Sequence, residues 1–190
     1  AGGGYTLAQR WAETISGKNF ADLMEQLILK PVGMKRSTFA LHTPETFPTD
    51  NVARAFVRTG TPIDGGWHVY PEMAAAGLWT TPTDYLLIVR AVMAGAEGKD
   101  FGITPGVATS MVTIIDDNYG LGVVVLDGFE QIRHLGSNRG YKSGFVGVPS
   151  TMSGIVTMTN AESGARLRSQ INRSAEIVFG WSEPQPQEAP

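Results

Sequence analysis

The sequence predicts an α+β chain: an antiparallel β-sheet flanked by helices. The sheet is read from three β-rich segments late in the chain, 119–126, 132–144 and 154–160, separated by Asp127-Gly128 and Pro149-Ser150-Thr151. Spacers this short join consecutive antiparallel strands. The helices are read from apolar residues recurring at three- and four-residue intervals before and after that block. With 190 residues, 42% of them hydrophobic and 17% charged, the chain is long enough for one sizeable core, and one domain over 1–181 is the expectation.

Taken in order, 6–16 carries Leu7, Trp11 and Ile15 on one helical face, with Gly17 as its stop. Asn19 caps a second helix with Asp22 in the first turn. Phe20, Leu23, Met24, Leu27 and Ile28 form its stripe until Pro31 and Gly33 end it. Residues 35–71, rich in Thr, Pro, Gly and Asp, read as a long loop with short strands near 52–57 and 67–70; a loop of this length is functional or covers something. Thr81-Pro82-Thr83-Asp84 then starts a helix with a cap, a proline and an acid in its first turn. Its body, 85–94, is apolar on nearly all sides and is expected to be buried. A weaker helix is expected over 104–112. Leu167, Ile171, Ala175 and Val178 define the last amphipathic helix, ending at Gly180, and 182–190 reads as a disordered tail.

Composition removes several function classes. A net charge of -3 without a Lys/Arg cluster argues against a nucleic-acid surface, and no run is long enough to span a membrane. The absence of cysteine rules out thiolate chemistry and cysteine zinc sites. His42, His68 and His134 are far apart in sequence and no carboxylate cluster joins them, so no metal or other cofactor is expected. His42 and His68 read as loop histidines.

The nucleophile search is informative because it fails. None of the eleven serines has a lysine three positions later, and there is neither a Gly-x-Ser-x-Gly elbow nor a Tyr-x-Asn turn. The polar, glycine-rich stretch 132–144 is nevertheless the first place to look for a site, since strand glycines let a ligand or another backbone come close.

Six short stretches, in order, carry a family resemblance: Gly2-Gly3-Gly4-Tyr5-Thr6-Leu7, Pro31-Val32-Gly33-Met34, Ala75-Ala76-Gly77-Leu78-Trp79-Thr80-Thr81-Pro82-Thr83-Asp84, Tyr119-Gly120-Leu121-Gly122, His134-Leu135-Gly136-Ser137-Asn138-Arg139-Gly140-Tyr141, and Met158-Thr159-Asn160. Together they resemble the C-terminal portion of the serine β-lactamase-like family, which includes class C β-lactamases, penicillin-binding DD-peptidases and related esterases. The resemblance implies acyl transfer. In that family a Ser-x-x-Lys supplies nucleophile and base, a tyrosine turn supplies a second proton carrier, and a Lys-Thr-Gly or His-x-Gly strand lines the opposite wall.

By resemblance His134-Leu135-Gly136 is that wall, and Ser137 lends its backbone N–H to an oxyanion hole. Loss of one such donor typically costs about 3–4 kcal/mol of transition-state stabilisation. His134, Gly136 and Ser137 are thus the candidate catalytic residues, with Leu135, Asn138 and Tyr70 as candidate substrate contacts and Trp79 assigned to aromatic packing. His134, with an ordinary pKa, would carry either charge state near neutrality. Lys142-Ser143-Gly144 competes for the same motif. It follows the glycine turn, where the family's next strand begins, so Lys142 reads as a solvated strand residue.

The family's tyrosine and Ser-x-x-Lys would both precede Ala1. The chain is therefore expected to be a C-terminal part, active once an N-terminal part of the same protein completes the site, and to expose a sheet edge and part of a core when alone. A degenerate, non-catalytic binding or scaffold chain is the alternative. The resemblance favours a periplasmic or secreted location, and a His-x-Gly in place of Lys-Thr-Gly tilts the substrate toward esters or small peptides.

Overall fold

The computed structural model describes residues 2–41, 51–126 and 128–181. Seven helices and four strands are found there. They are α1 (Gly2–Ser16), α2 (Phe20–Met24), α3 (Lys30–Val32), α4 (Met73–Ala76), α5 (Pro82–Ala96), α6 (Pro105–Val112), β1 (Val124–Leu126), β2 (Gln131–Asn138), β3 (Tyr141–Val148), β4 (Ser153–Thr159) and α7 (Gly164–Phe179). The strands form one antiparallel sheet in the order β1-β2-β3-β4, as an α+β chain requires. His42 and the expected tail 182–190 lie outside the described residues, as does Asp127.

Local signals placed the helix starts well. Asn19 accepts the Asp22 N–H at 2.9 Å and Thr81 accepts the Asp84 N–H at 3.2 Å. Between α2 and α3 the chain makes a π-helical turn over Glu25–Leu29. Pro31 just beyond it has no N–H to donate and its ring crowds the preceding turn, which widens the helix there. Asp84 is itself buried, accepting from the Arg36 N–H at 2.6 Å and the Ser37 hydroxyl at 2.8 Å, so that one carboxylate ties the start of α5 to the segment after α3.

The core lies between α5, α6 and one face of the sheet. Val89, Ala91, Val92 and Met93 of α5 meet Ile103, Ala108, Val123, Val125, Ile132 and Phe145, and the rings of Tyr85 and Phe145 lie 5.7 Å apart. Burying such side chains contributes roughly 1.5–3 kcal/mol each.

Several expectations need correction. The middle β-rich segment is a hairpin of two strands, turning at Arg139-Gly140. Gly140 has φ +79, and a Cβ there would lie 2.5 Å from the Cβ of Ala55, so the corner admits no side chain. The segment 119–126 gives only a three-residue strand, because the chain turns at Gly122 with φ +82. The short strands expected near 52–57 and 67–70 do not form; only isolated bridges from Phe56 to Pro62 and Ala161 are found. That segment is stitched to the end of β4 instead: Phe56 N–H donates to the Asn160 carbonyl at 3.0 Å and the Asn160 amide to the Arg54 carbonyl at 2.9 Å.

The α1 stripe is turned outward, and of the four stripe residues expected on α7 only Ala175 is turned inward. On α1, Leu7, Trp11 and Ile15 are exposed, while Gln9 is buried with its carbonyl accepting the Ala74 N–H at 3.0 Å. On α7 the buried positions are Gly164, Arg168 and Ala175; Leu167, Ile171 and Val178 face solvent. Small residues allow the close approach: a Cβ on Gly164 would overlap Thr159 Oγ1 at 1.8 Å. Periodicity reports how many faces a helix has, and packing decides which turns inward.

Candidate active site

The hairpin phase sets the direction of every amide on β2. Asn138 pairs with Tyr141 across a two-residue turn, so this pair exchanges hydrogen bonds. Alternation then makes Ser137 and Lys142 a non-hydrogen-bonded pair and Gly136 and Ser143 a bonded one. Ser137 therefore turns its N–H and C=O away from β3. The Lys142 carbonyl agrees with this phase, facing β4 and accepting from Thr159 Oγ1 at 3.2 Å.

On its other side β2 is only partly covered. β1 pairs as far as Val124 with Arg133, and the chain then leaves the edge through Val123 and Gly122. From His134 to Asn138 no described strand continues the ladder, and this free edge borders a cleft of about 550 Å³. The Ser137 amide opens onto it.

Side chains alternate across the strand. His134, Gly136 and Asn138 share the face of the buried Ile132, toward α5; Leu135 and Ser137 lie on the opposite face, toward α7. A Cβ on Gly136 would come within 2.2 Å of Ser143 Oγ, its cross-strand partner. The cleft brings together five of the expected site residues with Tyr70, although Leu135 is 60% exposed and points to the other face from His134.

Asn138 and Tyr70 are already engaged. Asn138 donates from its amide to the Ala76 carbonyl at 2.9 Å, and the Tyr70 hydroxyl accepts the Arg139 N–H at 3.0 Å, so both pin the hairpin tip. Tyr141 and Trp79 complete that wall, their rings 6.4 Å apart, and Trp79 also packs edge-on against Trp67 at 5.5 Å. The Tyr141 hydroxyl donates to the Ala53 carbonyl at 2.5 Å, and burial pushes its pKa up to about 12. It stays a proton donor at neutral pH.

His134 departs from the expected ordinary pKa: burial is the leading cause that lowers it, so the neutral imidazole dominates near pH 7. Three residues were not foreseen at the site. His68, read as a plain loop histidine, lines the cleft beside Tyr70 with ring centroids 6.4 Å apart. Tyr141 follows the turn glycine and was visible only once the hairpin was known. Lys142, read as a solvated strand residue, donates from Nζ to Ser137 Oγ at 2.7 Å.

The family model described as Beta-lactamase matches residues 2–178. The chain belongs to the beta-lactamase family. Solved structures similar to it include the D-amino acid amidase from Ochrobactrum anthropi SV3 complexed with L-phenylalanine amide, at 21% identity and TM-score 0.72, covering 95% of this chain and 56% of that one. A class C beta-lactamase aligns at 19% identity and TM-score 0.74, over 96% of this chain and 57% of the other. The octameric penicillin-binding protein homologue from Pyrococcus abyssi aligns at 19% and TM-score 0.71, over 98% and 43%. This beta-lactamase-family chain thus spans about half the length of these structures. Among curated proteins no match is found. At these identities the structures share the fold, a sheet with packed helices.

Proposed function

We propose that this chain forms the strand wall of a serine hydrolase that cleaves an ester, amide or β-lactam by acyl transfer. The observation that supports it most is the unpaired edge of β2 at Ser137, whose amide opens onto a cleft bordered by His134. In this reading a serine from polypeptide outside the chain attacks the substrate carbonyl and gives its proton to a neighbouring base. The carbonyl electrons move to oxygen, and the Ser137 N–H donates to that oxyanion. Collapse expels the alcohol or amine with a proton, leaving an acyl-enzyme that water hydrolyses by the same steps. Neutral His134 orients the substrate or the family's tyrosine through a hydrogen bond. Family resemblance favours a periplasmic or secreted setting.

The missing Ser-x-x-Lys favours a second reading, a non-catalytic binding or scaffold chain. A fluorescent serine-reactive phosphonate separates the two. Labelling of the complete protein, together with turnover of a chromogenic ester that falls in His134→Ala, is the outcome of the hydrolase reading. No labelling of any polypeptide in the purified protein leaves the binding chain, and unchanged kinetics in His134→Ala removes that residue from the site.

A further inference from the structure

Arg168 of α7 is only 9% exposed, yet it takes part in none of the ion pairs among the described residues. Its guanidinium reaches the sheet instead and donates from Nη1 to the Ser143 carbonyl of β3 at 2.8 Å. Gly136 and Ser143 are a bonded pair, so that same carbonyl accepts the Gly136 N–H across the hairpin. A carbonyl oxygen has two lone pairs, and both bonds form together. Gly144 makes room for this approach. It shares the α7 face with Val146, and a Cβ there would lie 3.0 Å from Arg168 Cδ. A second tie, Arg133 to Glu176 at 2.8 Å, fixes β2 at the residue before His134. Helix α7 thus grips β2 just before its free edge and, through Ser143, in the middle of it.

A buried charge without a carboxylate partner is costly, and an apolar side chain of similar size in its place often leaves a protein no less stable. What the charge adds is a directional bond, about twice as strong as a neutral one. We propose that Arg168 is a positioning residue of the cleft: from the far face of the sheet it holds the Ser143 carbonyl, which holds Gly136, and so fixes the direction in which the neighbouring Ser137 amide faces the cleft. Arg168 does not line the cleft itself and acts only through the hairpin. The inference rests on the hydrolase reading for its effect on turnover, and on the hairpin alone for its effect on the strand.

Two readouts test it. The first is amide exchange in the purified chain, comparing Gly136 with Ile132, whose N–H bonds to Gly147 in the same ladder. In Arg168→Met the Gly136 amide is expected to exchange roughly tenfold faster relative to Ile132, the scale of one charge-assisted hydrogen bond. Arg168→Lys, which keeps a charged donor, restores the ratio, and Arg168→Gln serves for the comparison if the methionine variant does not fold. No change at Gly136, equal acceleration of both amides as general loosening gives, or no restoration by lysine overturns the proposal. The second readout is turnover of the chromogenic ester by the complete protein. There kcat falls roughly ten- to a hundredfold in Arg168→Met with KM unchanged, because the oxyanion bond forms only in the transition state. Unchanged kcat in protein that the serine-reactive phosphonate labels overturns the proposal and leaves the hydrolase reading. The local response at Gly136 in protein that the phosphonate does not label keeps Arg168 as the holder of the strand and removes the hydrolase reading.

Discussion

Helix α5 and the outer helices α1 and α7 all carry apolar side chains, yet they place them in opposite ways. On α5, Val89, Val92 and Met93 are at most 3% exposed and pack on Ile132 and Phe145 of the sheet. On α1, Leu7, Trp11 and Ile15 are 74%, 69% and 67% exposed, and α7 leaves Val178 at 76%. The first region is a finished core. The second presents surfaces that this chain by itself does not cover, and β4 adds a sheet edge with no described partner. The cleft-bearing hairpin rests on the large core on the α5 side and on a smaller cluster of Val146, Val148, Ala175 and Trp181 on the α7 side, where Arg133 also pairs with Glu176 at 2.8 Å.

If that contrast is right, truncating the finished core has the largest effect. Ile132→Ala is expected to cost about 2–5 kcal/mol in urea unfolding, whereas Trp11→Ala costs roughly 0.5 kcal/mol or less. Comparable losses at the two sites would erase the distinction. Next comes Asp84→Ala, which strands the Arg36 N–H, leaves the Ser37 hydroxyl only Thr80 as partner, and is expected to cost about 1–3 kcal/mol by the same measurement. Replacing Leu7, Trp11 and Ile15 together by polar residues is expected to leave the unfolding free energy of the chain within about 1 kcal/mol while reducing its self-association in sedimentation. Association unchanged by that triple variant would mean these faces are not the sticky ones.

The smallest effect concerns His134. Its folded pKa lies below the unfolded value of 6.5, so the unfolded chain takes up the proton first. The stability it contributes is present above about pH 6.5 and is lost as pH falls through the lower folded pKa. In an NMR titration its ring resonances should move with a midpoint below 6.5, and His134→Gln should flatten the acid side of the stability profile. A midpoint at or above 6.5 would contradict the partial desolvation of this ring at the cleft.

Much of this was legible in the sequence where the signal is local. Caps such as Asn19 and Thr81 announce themselves, because a side-chain oxygen and a nearby N–H need only adjacent residues. The family was legible too, from six ordered stretches, none decisive alone. The direction of the α1 and α7 faces was not: a stripe such as Leu167, Ile171, Ala175 and Val178 has helical spacing whichever way it turns, and here only Ala175 of the four is inside, beside Gly164 and Arg168, which the spacing did not mark. The contact of Lys142 was not foreseen for a related reason. Its partner Ser137 is five residues away but directly across the hairpin, and nothing short of the register reveals that the two meet. The register in turn depends on one turn residue, Gly140.

The chemistry proposed for the cleft needs the outward amide of Ser137. Hydrogen exchange read residue by residue along β2 tests it most directly. Gly136 and Asn138, bonded to β3, should be protected, with Ser137 between them exchanging many-fold faster. Protection of Ser137 equal to that of its two neighbours would put its N–H in a closed ladder and contradict the account.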